Sequence, residues 1–463
     1  MRAAVAAGHP ATVAAGVEAL EKGGSAADAV VAACLASCVS ETVMTGLLGG
    51  GHAIVFDAAS GLARNLDCFV AVPGLGGKAP GAEPVELEVP FGTELVQYTI
   101  GIATCGVPGI PAGLGALHVE AGRLPWPRLV EPALRLARHG VEFPPAHAAC
   151  LAMLAPVMTM NEGADIYAPG GELLPANATL EQPGLVRALE LLAEEGPSSA
   201  YQGTLGRLLL DLMAVRGGLV TEMDLRAYEP VWADPVEVAY SGARVLTRGG
   251  LSNVPETLAQ MPRLRGLSPG QRAVALARVL DDRPISDGHT TNVSVVDAEG
   301  NACVLTTSLG LGSGDFVPGL DLHLNSMLGE TDLLTTPLEP GERMESMMAP
   351  TLALDDDGVT LGAGAAGGTR LRSALLQVVA GILDEGLDAD TAVARPRLHP
   401  AAGLVHLEPG FEPEAIAALE AAGYATRVWP APHHYFGGVS VAGRSSSAGD
   451  PRRNGTAAAP RLR

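Results

Sequence analysis

HTTNVSVVDAEGNACVLTTSLGLGSGDFVPGLDLHLNSMLGE, residues 289–330, is the stretch that decides the fold. A first β-rich run extends from Thr290 to Val296, and after a turn that contains Gly300 a second run extends from Ala302 to Ser308. Side chains in the two runs alternate with a period of two residues, and most of them are apolar. This pattern predicts a β-hairpin whose two strands are largely buried.

Two hydroxyl side chains, those of Thr290 and Thr291, open the predicted hairpin. A threonine at the first position of a strand can act as a nucleophile if the peptide bond before it is cut, because its freed amine then serves as the base. Threonine is also a good strand former in its own right. The spacing by itself therefore leaves a catalytic and a structural interpretation open.

Segments along the chain resemble the γ-glutamyltranspeptidases, which are N-terminal-nucleophile hydrolases that cut themselves just before a threonine. The segment TTNVSVVDAEGNA resembles the start of the family's small subunit. Other similar segments occur in family order and span nearly the whole chain: GVEALEKGGSAADAVVA, GLLGGGHAIVFD, GVPGIPAGLGAL, GGLVTEMDLRAYEP, GAGAAGGTR and FGGVSVAG. The resemblance implies an α/β fold of the four-layer αββα type. Residues 1–289 would form a large-subunit-like region and residues 290–463 a small-subunit-like region, packed intimately as one domain.

The resemblance also assigns catalytic roles. Thr290 would be the nucleophile, and Gly367 and Gly368 would donate the N–H groups that bind the oxyanion. Successive small residues before a helix do leave unpaired N–H groups pointing at one spot, although a tight turn between strand and helix is the other interpretation. Ser308 occupies the position of a family threonine that hydrogen-bonds the nucleophile, and it would otherwise be a polar strand end.

Several positions that bind the substrate in the family carry a different residue here. Glu330 stands where a family aspartate binds the α-amino group of the substrate, and Ser346 is one of two paired serines, with Glu345 in the partner position. Phe69 replaces an arginine that grips the α-carboxylate, and Gly310 replaces an asparagine. The substrate therefore stays open between a γ-glutamyl compound and a different amide.

The function implied by the resemblance is that of a γ-glutamyltranspeptidase-like acyltransferase or amidohydrolase that uses Thr290 and no cofactor. Its partners would be a small-molecule amide and water or an amine acceptor, and the two fragments would stay associated after cleavage. The alternatives are an acylase on a non-glutamyl amide, or an uncleaved, inactive member that binds a metabolite or a partner. Residues 250–288 favour the last of these, since they are shorter than the family's helical insertion before the cleavage point.

Composition narrows the function classes further. The formal net charge of −21 argues against nucleic acid or an anionic membrane surface as a partner. The six cysteines are scattered among apolar neighbours, which predicts buried free thiols and a reducing compartment. The N-terminal residues lack a signal-peptide layout and an 18-residue apolar span, so a cytoplasmic location is expected. The histidines and cysteines do not show the spacing of a metal site.

Three local patterns complete the prediction. Ser25 and Asp28 form a capping sequence for a helix that runs toward Val39. Residues 74–94, rich in glycine, proline and acids, are predicted to form a loop that covers the site. The tail from Asp450, which carries four arginines, is predicted to be solvated.

Overall fold

The computed structural model describes residues 2–77, 81–91, 94–281, 290–401 and 403–460. The α-helices within these residues are α1 (Pro10–Glu21), α2 (Ala26–Ser40), α3 (Ile110–Ala121), α4 (Trp126–His139), α5 (Pro145–Met158), α6 (Gly163–Tyr167), α7 (Pro183–Glu195), α8 (Thr204–Arg216), α9 (Glu222–Ala227), α10 (Val254–Gln260), α11 (Pro269–Leu280), α12 (Arg370–Leu383), α13 (Ala389–Ala394) and α14 (Pro413–Ala421).

The strands form two large sheets and several small ones. The first large sheet contains β1 (Ala4–Ala7), β2 (Gly50–Asp57), β3 (Leu62–Cys68), β8 (Val231–Ala233), β11 (Thr291–Val296), β12 (Ala302–Ser308) and β22 (Thr456–Ala458). The second contains β9 (Val236–Tyr240), β10 (Ala243–Thr247), β15 (Thr351–Asp355), β16 (Gly358–Ala366), β20 (Gly438–Gly443) and β21 (Ser447–Ala448). The small sheets pair β4 (Val85–Phe91) with β5 (Glu94–Ile100), β6 (Val141–Glu142) with β7 (Thr179–Leu180), β13 (Phe316–Val317) with β14 (Leu322–His323), and β18 (Leu404–Leu407) with both β17 (Leu398–Ala401) and β19 (Ala425–Val428).

The predicted hairpin is confirmed as β11 and β12, which lie at the centre of the first sheet in the order β22-β1-β11-β12-β2-β3-β8. Its side chains alternate between two cores, as the period of two requires. Val293 and Val295 pack with α2 on one face, while Val296 and Val304 pack on the other face against the second sheet. The hairpin is therefore buried on both sides.

Four layers result from this packing. Helices α1 to α4 cover the outer face of the first sheet, and α2 is buried along its whole length behind the capping box of Ser25 and Asp28. Helices α10 to α14 share the outer core of the second sheet. The two sheets meet through Ile54, Leu246 and Leu352. This is the predicted αββα sandwich.

The predicted loop over residues 74–94 is wrong for its second half, because β4 begins at Val85 and pairs with β5. The alternation of glutamate with apolar residues in VELEVPF is a strand pattern that the acidic composition conceals. Val89 and Tyr98 on this hairpin pack into a core with Phe143 and Phe316. Burial of those side chains stabilises an element that local composition alone does not indicate.

Helices α10 and α11 lie in residues 250–288, where the sequence reading assigned no element. Pro255 and Pro269 each stand at the first turn of a helix, where the missing N–H of proline costs nothing. Ser268 caps α11 through a capping box. Both prolines therefore mark helix starts.

The predicted solvation of the tail is also wrong. Asp450 and Arg453 are only 2% and 6% exposed, and β22 pairs with β1 at the edge of the first sheet. Arg452 pairs with Glu408 at 2.5 Å, and Asp450 pairs with Arg397 at 2.5 Å. The arginines are buried because carboxylates from other elements meet them. Arg461 and Arg463 lie outside the described residues.

The six cysteines are buried and free, as predicted. Within the described ranges, none of the helices combines the length and the apolar character that crossing a membrane requires.

Candidate active site

Thr290 lies directly before β11, at the end of the central hairpin, and is 4% exposed. Its carbonyl oxygen accepts a hydrogen bond from Arg453 Nη1 at 3.4 Å. Its neighbour Thr291 donates its hydroxyl to the Glu41 carboxylate at 2.5 Å. The first two residues of the hairpin therefore each contact a buried ionisable side chain. His289, whose carbonyl would be attacked in self-cleavage, lies outside the described residues.

A small pocket opens at Thr290. Six of the seven residues predicted for the site line it: Phe69, Thr290, Ser308, Glu330, Ser346 and Gly368. The seventh, Gly367, is the chain neighbour of Gly368 and is not part of the lining. The lining is completed by one further acid and five apolar side chains: Asp332, Met327, Leu333, Met347, Met348 and Leu371. Residues that lie far apart in the sequence, from Phe69 to Leu371, thus converge on one cavity.

The turn that carries Gly367 and Gly368 joins β16 to α12. Both residues have a positive φ, 129° and 55°, which favours glycine over residues with a side chain. Their carbonyls accept the first hydrogen bonds of α12, from Arg370 N and Leu371 N. In the described part of the chain, neither N–H has an acceptor. A turn with two unpaired N–H groups next to Thr290 can bind an anionic oxygen.

Glu330 is a buried acid with a free acceptor. Glu330 is 7% exposed, and its Oε1 has no hydrogen-bond partner among the described residues. Burial, with a smaller contribution from the charge of Asp332, raises the pKa of Glu330 well above its ordinary value. A cationic group entering the pocket would satisfy this carboxylate.

Gly310 leaves space for the Glu330 carboxylate in its present position. A Cβ at position 310 would lie 2.6 Å from Glu330 Oε1 and 2.9 Å from Ser326 Oγ, and φ at Gly310 is 70°. A side chain here would therefore collide with the carboxylate. The glycine and the glutamate, which the sequence presents as two separate departures from the family pattern, occupy one shared volume.

Phe69 forms an apolar part of the pocket wall and is 1% exposed. Its ring stacks on His52, with the centroids 5.5 Å apart. Its carbonyl oxygen accepts hydrogen bonds from Tyr228 Oη and from Arg343 Nη1, both at 2.7 Å. These contacts fix the backbone and the ring, so Phe69 is a rigid element of the site.

No lysine, arginine or histidine is among the described residues that line the pocket. Arg64 is not part of the lining; it pairs with Glu120 at 2.8 Å and lies over Trp232. Arg370 is not part of the lining either, and it donates from Nε to the Tyr435 carbonyl at 3.1 Å. The charge lining the cavity is therefore acidic.

The two serines have local partners. Ser308 Oγ accepts from Gly310 N at 2.9 Å, and Ser346 Oγ accepts from Met348 N at 3.1 Å. Glu345, which takes the place of the second family serine, accepts from Thr335 Oγ1 at 2.7 Å and is not part of the pocket lining. Of positions 345 and 346, where the family has paired serines, only Ser346 lines the cavity.

Sequence reasoning missed Glu41 and Arg453. Glu41 is 1% exposed and accepts hydrogen bonds from both Thr12 Oγ1, at 2.6 Å, and Thr291 Oγ1. Burial raises its pKa. One signal for Glu41 was present, since an acid directly after the C-terminus of a mostly apolar helix opposes the helix dipole. Local sequence held no comparable signal for Arg453.

Comparison with known proteins identifies the family of this chain. The family model for gamma-glutamyltranspeptidase matches residues 12–267 and 271–460. The "Acylase ACY 1 proenzyme" of Pseudomonas sp. (strain SE83) is 28% identical over 495 aligned positions, which cover 91% of this chain and 87% of that protein. The "Glutathione hydrolase proenzyme" of Escherichia coli (strain K12) is 27% identical and covers 88% of this chain and 83% of its own.

Among solved structures, cephalosporin acylase from Bacillus halodurans superposes with a TM-score of 0.82 at 22% identity and covers 99% of this chain and 95% of its own. That likeness supports the fold. The family match over nearly all of the sequence shows that the chain belongs to the γ-glutamyltranspeptidase family, enzymes of the acyltransferase and amidohydrolase class with the N-terminal-nucleophile hydrolase fold.

Proposed function

We propose that this protein is an acylase that matures by cutting itself before Thr290 and then hydrolyses or transfers the acyl group of a small amide. The observation that carries the proposal is the single pocket that brings Thr290 together with Ser308, Gly368 and the acid Glu330. An acyl transfer needs a nucleophile, a base and donors for the oxyanion, and this pocket offers a candidate for each.

Maturation would begin with attack of Thr290 Oγ on the carbonyl carbon of His289. The peptide bond is replaced by an ester, and water then hydrolyses that ester to give residues 1–289 and 290–463. The new α-amine of Thr290 becomes the base. We expect the fragments to stay together, because β11 and β12 of the second fragment are hydrogen-bonded to β1 and β2 of the first.

Turnover would follow the same chemistry. The amine takes the proton of Thr290 Oγ as the oxygen attacks the substrate amide, and the N–H groups of Gly367 and Gly368 bind the resulting oxyanion. The proton passes to the leaving amine, an acyl ester remains on Thr290, and water or a second amine releases the acyl group. Ser308 would orient the nucleophile by a hydrogen bond, and Ser346 would contact the substrate.

The acyl group is proposed to lack the α-carboxylate of a glutamyl group. Arginine suits a carboxylate because its planar fork bonds both oxygens, whereas Phe69 offers neither charge nor donor. A carboxylate left against the ring would cost several kcal/mol (roughly 2–7 for an unpaired polar group). Glu330 could still bind an amine, and the apolar wall suits an aliphatic or aromatic group near the acyl end.

The prediction for substrate choice is that cleaved wild-type protein prefers aliphatic or aryl acyl amides over γ-glutamyl anilides. The comparison is kcat/KM across a panel that contains both classes. Phe69→Arg should raise γ-glutamyl activity relative to the other substrates, and Phe69→Leu, which keeps an apolar wall, serves as the matched control. A wild type that clearly prefers the γ-glutamyl compound would show that a carboxylate clamp comes from another residue.

A further inference from the structure

Arg453 is a buried arginine that contacts Thr290. Its Nη1 donates to the Thr290 carbonyl at 3.4 Å and lies 3.1 Å from Met44 Sδ, and its Nη2 donates to the His434 carbonyl at 3.4 Å. Its Nε is buried without an acceptor among the described residues. All three contacts of the guanidinium are with uncharged groups.

No carboxylate in the described ranges forms an ion pair with Arg453. Its neighbour Arg452 has two such partners, Glu408 at 2.5 Å and Asp450 at 3.1 Å. Burying an unpaired charge is unfavourable, and burial does lower the pKa of Arg453. Arginine nevertheless keeps its proton in proteins, so a fixed positive charge lies behind the proposed nucleophile.

The carbonyl that Arg453 contacts belongs to the residue whose α-amine would act as the base. Backbone dimensions place the nitrogen and oxygen of one residue about 3 Å apart, so the amine lies within roughly 7 Å of the guanidinium. A cation at this separation disfavours the ammonium form. An unperturbed α-amino group has a pKa of about 7.7–8.0 and is largely protonated at neutral pH.

We propose that Arg453 is a positioning residue that keeps the α-amine of mature Thr290 unprotonated at neutral pH. It acts through its charge and by holding the Thr290 carbonyl, without touching the substrate. The inference rests on the proposed cleavage before Thr290 and adds to it the residue that makes the new amine an effective base.

Acids near Thr290 oppose the effect of Arg453, because a negative charge stabilises the ammonium form of the α-amine. Glu41 approaches from the end of α2, and Glu330 and Asp332 from the pocket. Burial raises the pKa of both Glu41 and Glu330, which weakens their opposing charge near neutral pH. Asp450, next to Arg453 in the chain, is already paired with two other arginines.

The other titratable groups around Arg453 add little charge of opposite sign. Arg370 is a second buried cation, and its charge acts on Arg453. Burial lowers the pKa of His147 to about 3 and raises that of Cys150 to about 11, so both are neutral at pH 7. His9 and His433 also have lowered pKa values because they are buried.

The first test uses cleaved wild-type protein. The acid limb of the kcat/KM profile, and the pH dependence of Thr290 amine modification by an amine-reactive acylating reagent, should both report a pKa at least about one unit below the ordinary α-amino value. An amine that titrates at its ordinary value or higher overturns the inference. This measurement does not depend on the folding of any variant.

The second test compares variants on cleaved material. Arg453→Met should move the acid limb to higher pH by about one unit or more, because removal of the cation stabilises the ammonium form. Arg453→Lys keeps the charge and should retain the wild-type limb. Arg444→Met removes an arginine paired with Asp355 at the opposite end of β20 and should leave the limb in place.

A purely structural role for Arg453 would lower the rate equally at all pH values. If the acid limb of Arg453→Met stays at the wild-type pH, this inference is overturned and the proposed function still stands. A wild type that never cleaves, as judged on a denaturing gel, would overturn the proposed function and this inference with it.

Discussion

Thr290→Ala is expected to run as one band on a denaturing gel, whereas wild-type protein gives two. The wild-type fragments, residues 1–289 and 290–463, should weigh roughly 29 and 18 kDa, scaled from 47.2 kDa for the whole chain. The variant lacks the hydroxyl that attacks the preceding carbonyl, so this ester does not form. All acyl transfer should be lost as well, because neither the nucleophile nor its free amine exists.

Two controls make this result specific. Thr290→Ser keeps a hydroxyl at the same position and should still cleave. Thr291→Val removes the neighbouring hydroxyl, which donates to Glu41, and should also leave cleavage at the same bond. N-terminal sequencing of the small fragment should read TTNVSVV. A wild type that stays whole under every condition would exclude the mechanism and favour an uncleaved member that binds a metabolite or a partner.

The hairpin and the four layers could be predicted because their signals are local. Alternation within β11 and β12 indicates strands directly, and the capping sequence at Ser25 marks the start of α2 within a few residues. Where composition opposes pattern, as in the acidic strand β4, the packing of Val89 and Tyr98 decides the structure. That packing involves residues of other elements, so the sequence of β4 by itself does not reveal it.

The candidate site was predicted residue by residue from a resemblance, and its parts outside that pattern were missed. Glu41 and Thr291 are 250 positions apart, and Arg453 and Thr290 are 163 positions apart. Such pairs become visible only when the sheets are assembled. The arginines of the tail were expected in solvent for the same reason, since the carboxylate of Glu408 that meets Arg452 belongs to another element.

Gly310 and Glu330 show a further limit of sequence analysis, which interprets each position separately. Each departs from the family pattern and each could be a surface change. In the structure a Cβ at position 310 would lie 2.6 Å from the Glu330 carboxylate. A side chain at position 310 would require the Glu330 carboxylate to move, so the two positions form one feature of the pocket.

Gly368→Val is expected to reduce turnover by roughly a hundredfold or more in protein that has already cleaved. The Gly367–Gly368 turn lies beside Thr290, and its two N–H groups have no acceptor among the described residues. Loss of one oxyanion donor costs about 3–4 kcal/mol of transition-state stabilisation. At Gly368, φ is 55°, so a β-branched side chain would force the turn to change and move its N–H groups.

The matched control separates this effect from strain at a positive φ. Gly358 has a φ of 98°, is the first residue of β16 directly after the turn from β15, and has open space around an added Cβ. Gly358→Val should therefore carry a comparable backbone penalty while leaving kcat/KM per cleaved site close to wild type. Circular dichroism and thermal unfolding of both variants would report the strain itself. If Gly368→Val turns over at the wild-type rate, these N–H groups do not bind the oxyanion, and the donors must come from elsewhere around Thr290.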